Sequence, residues 1–301
     1  MHRPDLRDPN DKIYAVSALI ATAIVFVGVI VALSYFVVCA PSEWDTLDAG
    51  TDSTGSTYFL ACSAIFLVCS YFLVKDFLKR IREHPESGLA ECTLNSPIGK
   101  AGILFAITVV TSLAILAISE LIREPITSSF LDEMGSYDLM ASMMCAGPSE
   151  ELMCRVGLIG IPVFLVCCYH HRGSGKDIFG GFGMSRTAMV FLTISSVVFG
   201  LLHLDGWSLM KFPDTFITGM LFGYVYIKYG LHTTIFMHSA FDMIMSFDIF
   251  SEWLLIAILG AMTVLGAVLL VRSLLDYRRY IPDNNLHEPF DGTLVEMWER
   301  D

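Results

Sequence analysis

The chain has 301 residues, of which 54% are hydrophobic and only 17% are charged, and its formal net charge is −12. Soluble domains carry about 25% charged residues, so this composition excludes an ordinary soluble domain and is typical of a membrane protein. The acidic balance argues against nucleic-acid binding, which uses basic surfaces. The eight cysteines include no C-x-x-C pair, so the sequence indicates neither a disulfide scaffold nor a zinc ribbon.

Long apolar segments recur along the whole chain, and a membrane-spanning helix needs about 20 mostly apolar residues. The pattern predicts an all-α polytopic bundle of about eight spans with the active site inside the bundle. The predicted spans are residues 13–40, 57–78, 101–122, 137–169, 187–204, 208–229, 231–249 and 252–275. They divide the chain into N-terminal spans (1–136), a core with the polar motifs (137–249), and a last span with an acidic tail (250–301).

Basic residues predict the orientation of the bundle, because cytoplasmic loops are enriched in lysine and arginine. All lysines and arginines except Arg123, Arg155 and Lys211 lie at the chain ends or in alternate loops on one side of the predicted bundle. Both termini are therefore predicted to be cytoplasmic, in a protein of the cell membrane. The loop at 41–56 has no basic residue and is predicted to face outward.

The stretch GPSEELMCR, residues 147–155, places charges inside the fourth predicted span. A charge that faces lipid costs roughly 2.5–3.5 kcal/mol, so these side chains are expected to be buried and paired, or used. Pro148 favours a helix that begins or bends there. Glu151 and Arg155 share a helix face and can form an ion pair, whereas Glu150 points about 100° away and stays available. A purely structural salt bridge between helices is the other interpretation.

Two further motifs have the same four-residue spacing, FGLLH in the fifth span and HSAFD in the seventh. Phe199 and His203 share one helix face, and so do His238 and Asp242. Taken singly, each motif can be a packing or hydrogen-bonding device. Taken together, ionisable groups on three apolar helices should face the bundle interior and meet. A carboxylate, two histidines and an aspartate in a shielded pocket can activate water, ligate a metal, or stabilise an oxyanion.

The order E-E-x-x-x-R, F-x-x-x-H and H-x-x-x-N/D on successive spans resembles the CPBP family of intramembrane proteases. That family includes CAAX prenyl endopeptidases and bacteriocin-processing or immunity proteins. The three motifs read EELMCR, FGLLH and HSAFD here and cover about residues 137–249, a protease-like core. The resemblance implies a membrane endopeptidase that hydrolyses a peptide bond near the membrane. Its implied partners are a peptide substrate, with a prenylated CAAX-type peptide as one candidate, and the lipid bilayer.

The resemblance also implies a role for each motif residue. Glu150 would be the general base that activates water, with help from His203. His238 and Asp242 would polarise the scissile carbonyl and stabilise the oxyanion. The supporting residues would be Glu151, Arg155 and Phe199.

Two points about the implied chemistry stay open in the sequence. The family often has asparagine where this chain has Asp242, and an ionised aspartate would repel an oxyanion. Asp242 can instead orient His238, ligate a metal or remain protonated. Both a metal-free glutamate mechanism and a zinc site fit the residues. The candidate zinc ligands are Glu150, His203 and His238, although the commonest zinc protease signature, H-E-x-x-H, is absent from the sequence.

The predicted span limits raise a difficulty, because His203 would lie near the outer end of its helix and His238 nearer the inner end of its own. We take the limits, rather than the motifs, to be at fault. Residues 204–229 can be tilted or partly re-entrant, as Gly206 and Pro213 would permit. Asp214 is interpreted as a helix-start cap rather than a pocket wall.

Two functions of other classes fit part of the pattern. Buried ionisable residues also build proton-coupled transporters, but transporters usually repeat broken helices in both halves, and here the polar residues occupy one half. A non-catalytic immunity protein that keeps the fold is the second alternative.

Overall fold

The computed structural model describes residues 9–48, 53–128, 134–170 and 173–275. These residues form helices and short connections and contain no β-strand, which confirms the all-α fold class. The acidic tail that the sequence predicts after the last span lies outside the described residues. The α-helices are α1 (Pro9–Asp48), α2 (Ser53–Glu83), α3 (Leu89–Leu94), α4 (Pro97–Leu121), α5 (Ser136–Glu151), α6 (Ile161–Tyr169), α7 (Arg186–Leu202), α8 (Lys211–Tyr229), α9 (Leu231–Met245) and α10 (Glu252–Leu275).

Six helical segments of the described chain are long and apolar enough to cross a membrane. The predicted count of about eight spans is not confirmed, because α8 and α9 are not among the six. The six segments are Pro9–Val38, Thr57–Glu83, Pro97–Leu121, Ser136–Tyr169, Arg186–Asp205 and Glu252–Leu275.

Serine caps lie at the starts of α4 and α7. Ser96 accepts a hydrogen bond from the Gly99 N–H at the start of α4, and Ser185 accepts one from the Ala188 N–H at the start of α7. A serine cap satisfies one of the N–H groups that a helix start leaves without an intrahelical partner. Both helices therefore begin within four residues of the predicted limits.

Helix α9 lies at the centre of the bundle, packed against α1, α2, α4, α5 and α8. Most of its side chains are buried. Its 15 residues span about 22 Å at 1.5 Å per residue, less than the roughly 30 Å of a bilayer's hydrocarbon core. Gly230 joins α8 to α9 with a φ of 88°, a conformation that glycine adopts without strain.

The span that carries the charged motif is continuous, but its helix type changes in the middle. Helix α5 passes through Pro148 to Glu151, residues Leu152–Gly160 form a π-helical segment, and α6 follows. The helix begins at Ser136, not at Pro148. The local irregularity is the π-helical segment after the two glutamates, and such segments are frequent at functional sites.

Helices α5 and α9 approach closely at one glycine. A Cβ atom added to Gly147 would collide with the backbone and side chain of Ser239. The Ser239 hydroxyl donates a 3.2 Å hydrogen bond to the Met144 carbonyl. This contact holds the end of α5, which carries both glutamates, directly against α9, which carries His238 and Asp242.

Candidate active site

Three elements bring the predicted site residues together. Glu150 and Glu151 are the last residues of α5, His203 opens the 3₁₀ turn that follows α7, and His238 and Asp242 lie in the second half of α9. Helix α9 starts at the predicted residue, Leu231, but already ends at Met245, so His238 lies midway along it. The expected mismatch in depth between the two histidines is absent, because Nε2 of each lies within 3.9 Å of the same Glu150 oxygen.

Glu150 lies between the two histidines. Its Oε2 atom is 3.9 Å from Nε2 of His203 and 3.8 Å from Nε2 of His238. This oxygen is buried and accepts no hydrogen bond from any described residue. Both distances exceed those of a direct hydrogen bond, so Glu150 is available for a further partner, as the sequence predicts.

His203 is oriented by the backbone of its own helix. Its Nδ1 lies 2.8 Å from the Phe199 carbonyl oxygen, and a carbonyl can only accept, so Nδ1 carries the hydrogen. In the neutral ring Nε2 then has a free lone pair, and this atom faces Glu150. The Phe199 ring lies 4.6 Å from the imidazole, centroid to centroid, which confirms that the two side chains share a face.

His238 is held between two carboxylates. Its Nδ1 lies 2.7 Å from Oε1 of Glu151, and its Nε2 lies 3.2 Å from Oδ2 of Asp242. The contact with Asp242 confirms the spacing argument, but the sequence did not predict the contact with Glu151. The residue is only 3% exposed, so a bound substrate would meet Glu150 and Asp242 before it met His238.

Glu151 and Arg155 form the predicted ion pair, and neither side chain is exposed to solvent. Arg155 Nε donates to Oε2 of Glu151 over 3.0 Å. Its Nη1 donates to the Ser195 hydroxyl over 3.0 Å, and its guanidinium lies 5.0 Å from the Phe199 ring centroid. Arg155 therefore ties α7 to the π-helical segment, and through Glu151 to His238.

The carboxylates open onto a cavity of about 500 Å³. Such a volume is within the range of ligand pockets in proteins. The site residues that line it are Glu150, His203, Asp242 and Phe199. Its remaining wall comes from Ser142, Met143, Ala146, Met153, Leu202, Asp205, Gly206, Trp207 and Lys211.

Trp207 and Lys211 also line this wall, and the sequence did not predict them there. The Lys211 ammonium lies 4.6 Å from the Trp207 ring centroid and donates to Asp214 over 2.8 Å. The available signal was that Lys211 is one of three basic residues outside the predicted cytoplasmic segments. The cap interpretation of Asp214 is wrong, because Met210 precedes α8 and Asp214 instead accepts from Ser112 of α4 over 2.6 Å.

The residue types at the site are ones that zinc accepts, namely imidazole nitrogens and carboxylate oxygens. Across the described part of the chain, however, no three His, Cys, Asp or Glu side chains are placed so that they could hold one metal ion. Nε2 of His238 already contacts Oδ2 of Asp242 over 3.2 Å. The residues as placed do not form a metal site, and we derive no step through a metal.

Residues 134–244 match the family model described as "Type II CAAX prenyl endopeptidase Rce1-like". This segment is therefore similar to the Rce1-like domains that the family model describes. The match confirms the resemblance to CPBP proteases that the three motifs indicate. The Rce1-like domain contains α5 to α9, and so it carries all of the site residues described above. Searches of curated proteins and of solved structures gave no match.

An Rce1-like domain supports a membrane endopeptidase of the CAAX type, with a peptide as its substrate. The six apolar helices and this domain together indicate an integral membrane protein.

Proposed function

We propose that this protein is an intramembrane endopeptidase in which Glu150 and His203 activate water for hydrolysis of a peptide bond. One observation carries the proposal. A buried carboxylate oxygen without a hydrogen-bond partner faces the free nitrogen of His203 at the wall of a cavity large enough for a peptide segment. A group that the fold leaves unsatisfied in this way is frequently one that the chemistry uses.

The separation of Glu150 and His203 suits a bridging water. Their facing atoms are 3.9 Å apart, too far for a direct hydrogen bond and close enough for a water that contacts both side chains. Glu150 takes the proton from this water as its oxygen attacks the carbonyl carbon of the peptide. When the C–N bond breaks, the proton passes to the leaving nitrogen, so one water is consumed and both residues return to their starting state.

We assign His238 as a positioning residue. Its two nitrogens contact Glu151 and Asp242, and its small exposed fraction keeps it from direct contact with a peptide. Asp242 lines the cavity and holds His238 on its cavity side, which gives a role to the aspartate that replaces the common asparagine. Glu151 and Arg155 hold His238 from the opposite side.

For the substrate we propose a CAAX-type peptide with a prenylated cysteine, because the matching family model describes prenyl endopeptidases. Apolar and aromatic side chains such as Met143, Met153 and Trp207 line the cavity beside Glu150 and suit a peptide that carries a lipid. We place the protein in the cell membrane with both termini cytoplasmic, on the distribution of basic residues.

The test is turnover of a fluorogenic CAAX peptide, farnesylated and unfarnesylated, by the purified full-length protein in detergent. Glu150→Gln should lower kcat by a factor of about 10²–10⁴, the usual contribution of a general base, with an unchanged unfolding temperature. Glu120→Gln is the matched control, because Glu120 is exposed at the end of α4. It should turn over at the wild-type rate.

Full activity of Glu150→Gln would refute the mechanism. Equal turnover of the farnesylated and unfarnesylated peptides would refute prenyl recognition, while the proposed peptidase activity would still stand. No turnover of either peptide by the wild-type protein would favour the immunity-protein alternative.

A further inference from the structure

A second cavity, of about 260 Å³, lies away from the catalytic one and shares no lining residue with it. It is bounded by α1, α4, α8 and α10, near the end of the bundle where α4 begins and α8 and α10 end. Its wall consists of Tyr14, Lys100, Ile103, Leu104, Ile107, Leu221, Tyr224, Tyr229, Leu270, Ser273 and Leu274.

Lys100 is the only lysine or arginine in this wall, and it is only 9% exposed. Within the described parts of the chain, its ammonium makes no hydrogen bond and no ion pair. A buried cation without a counter-charge is costly, and proteins normally pair it or leave it in water. The exposed surface of the bundle would accommodate this lysine without that cost, so its position indicates an anionic ligand.

The lining of the cavity is mostly apolar and includes a few polar side chains. The polar side chains in this lining include Lys100, Tyr14 and Ser273, and the hydroxyl groups of the last two are 3.3 Å apart. Along α4, the side chains of Ile103, Leu104 and Ile107 follow Lys100 in the lining, and at 1.5 Å per residue they form an apolar strip of about 6 Å. A ligand that fits this wall has an anionic head and an apolar chain.

We infer that this cavity binds an anionic phospholipid of the surrounding membrane. The phosphate lies at the Lys100 ammonium, and one acyl chain runs along Ile103, Leu104 and Ile107. The cavity holds only part of one chain, and the rest of the lipid stays in the bilayer. A zwitterionic lipid fills the apolar strip equally well but brings its own cation to Lys100, so the site discriminates by head-group charge.

The experiment is native mass spectrometry of the delipidated full-length protein, titrated with phosphatidylglycerol or with phosphatidylcholine of identical chains. Wild-type protein should bind one phosphatidylglycerol about tenfold more tightly than phosphatidylcholine, the ratio expected for one hydrogen bond to a charged group. Lys100→Met should remove this preference. The matched control is Lys79→Met on α2, whose side chain is 67% exposed, and it should keep the preference.

A second variant tests the apolar part of the site. Leu104→Trp fills the strip beside Lys100 and should weaken binding of both lipids, while Lys100→Met weakens only the anionic one. The inference is overturned if wild-type protein binds the two lipids equally, or if Lys100→Met keeps the preference. Inorganic phosphate that displaces phosphatidylglycerol at equal concentration would overturn the assignment to a lipid. The comparison of the two lipids on wild-type protein does not depend on whether any variant folds.

Discussion

Glu151 accepts a 2.7 Å hydrogen bond from Nδ1 of His238, and its other oxygen accepts one from Arg155. The second glutamate of the EELMCR motif therefore connects two helices, because His238 belongs to α9 and Arg155 to the π-helical segment. Neither Glu151 nor Arg155 is exposed. A charge that is buried and paired in this way depends on each of its partners.

The first prediction concerns this network. Glu151→Gln leaves the Arg155 guanidinium buried without its counter-charge and weakens the hold on His238. We expect the free energy of unfolding to fall by about 3–5 kcal/mol, as for other buried pairs that lose one partner. The measurement is thermal or denaturant unfolding in detergent.

The control for this variant is Glu83→Gln on α2. Glu83 forms an exposed i,i+4 pair with Lys79 at 3.7 Å, and exposed pairs contribute at most about 1 kcal/mol. The two variants change the same functional group, so burial is the main difference between them. Equal stability of Glu151→Gln and Glu83→Gln would show that the Glu151 contacts are dispensable for the fold.

Much of the site could be predicted from sequence because its contacts within one helix follow from the four-residue spacing. The Glu151–Arg155 pair, the Phe199–His203 contact and the His238–Asp242 contact are all of this kind. The contact between Glu151 and His238 joins residues of two helices that are 87 positions apart in the chain, as counted from one residue to the other. No local periodicity reports such a contact, and it was not predicted.

The fold, like the site, could be predicted where it depends on local sequence and not where it depends on contacts between helices. Apolar runs identify the long helices, since crossing a bilayer imposes length and composition on each helix separately. The short helix α9 is apolar because it lies inside the protein, and sequence alone does not distinguish burial in protein from burial in lipid. The π-helical segment at Leu152–Gly160 depends on hydrogen-bond register, for which the sequence pattern gave no indication.

The second prediction separates the two nitrogens of His203. In His203→Asn the side-chain amide can still donate to the Phe199 carbonyl, but nothing replaces Nε2. We expect kcat to fall by a factor of about 10²–10⁴, with little change in unfolding temperature. His203→Ala should lose the same activity and also the hydrogen bond to Phe199. If His203→Asn retained wild-type turnover, the role of His203 would be structural only.

The third prediction tests the close approach of α5 and α9. Gly147→Ala places a methyl group against Ser239 and should force the helices apart, which moves both glutamates away from His238. Overpacking of this kind costs about 1–3 kcal/mol, more than the gain of roughly 1 kcal/mol from replacing glycine in a helix. Both stability and turnover should therefore fall.

Gly260→Ala is the matched control for Gly147→Ala. Gly260 lies in α10 with open space where a Cβ would be placed. Alanine there should leave turnover unchanged and keep or slightly raise stability. If Gly147→Ala behaved like Gly260→Ala, the closeness of α5 and α9 would not be what positions the glutamates.

The fourth prediction concerns a metal. Both nitrogens of His238 lie within 3.2 Å of carboxylate oxygens, so a metal at His238 would have to displace one of these contacts. We therefore expect turnover to persist after dialysis against a chelator, with less than one metal ion per chain by elemental analysis. Turnover and metal content must be measured on the same preparation, because turnover alone does not reveal residual metal. Loss of turnover that zinc restores would contradict this expectation and would make Glu150, His203 and His238 ligands, with His238 released from Asp242 to reach the metal.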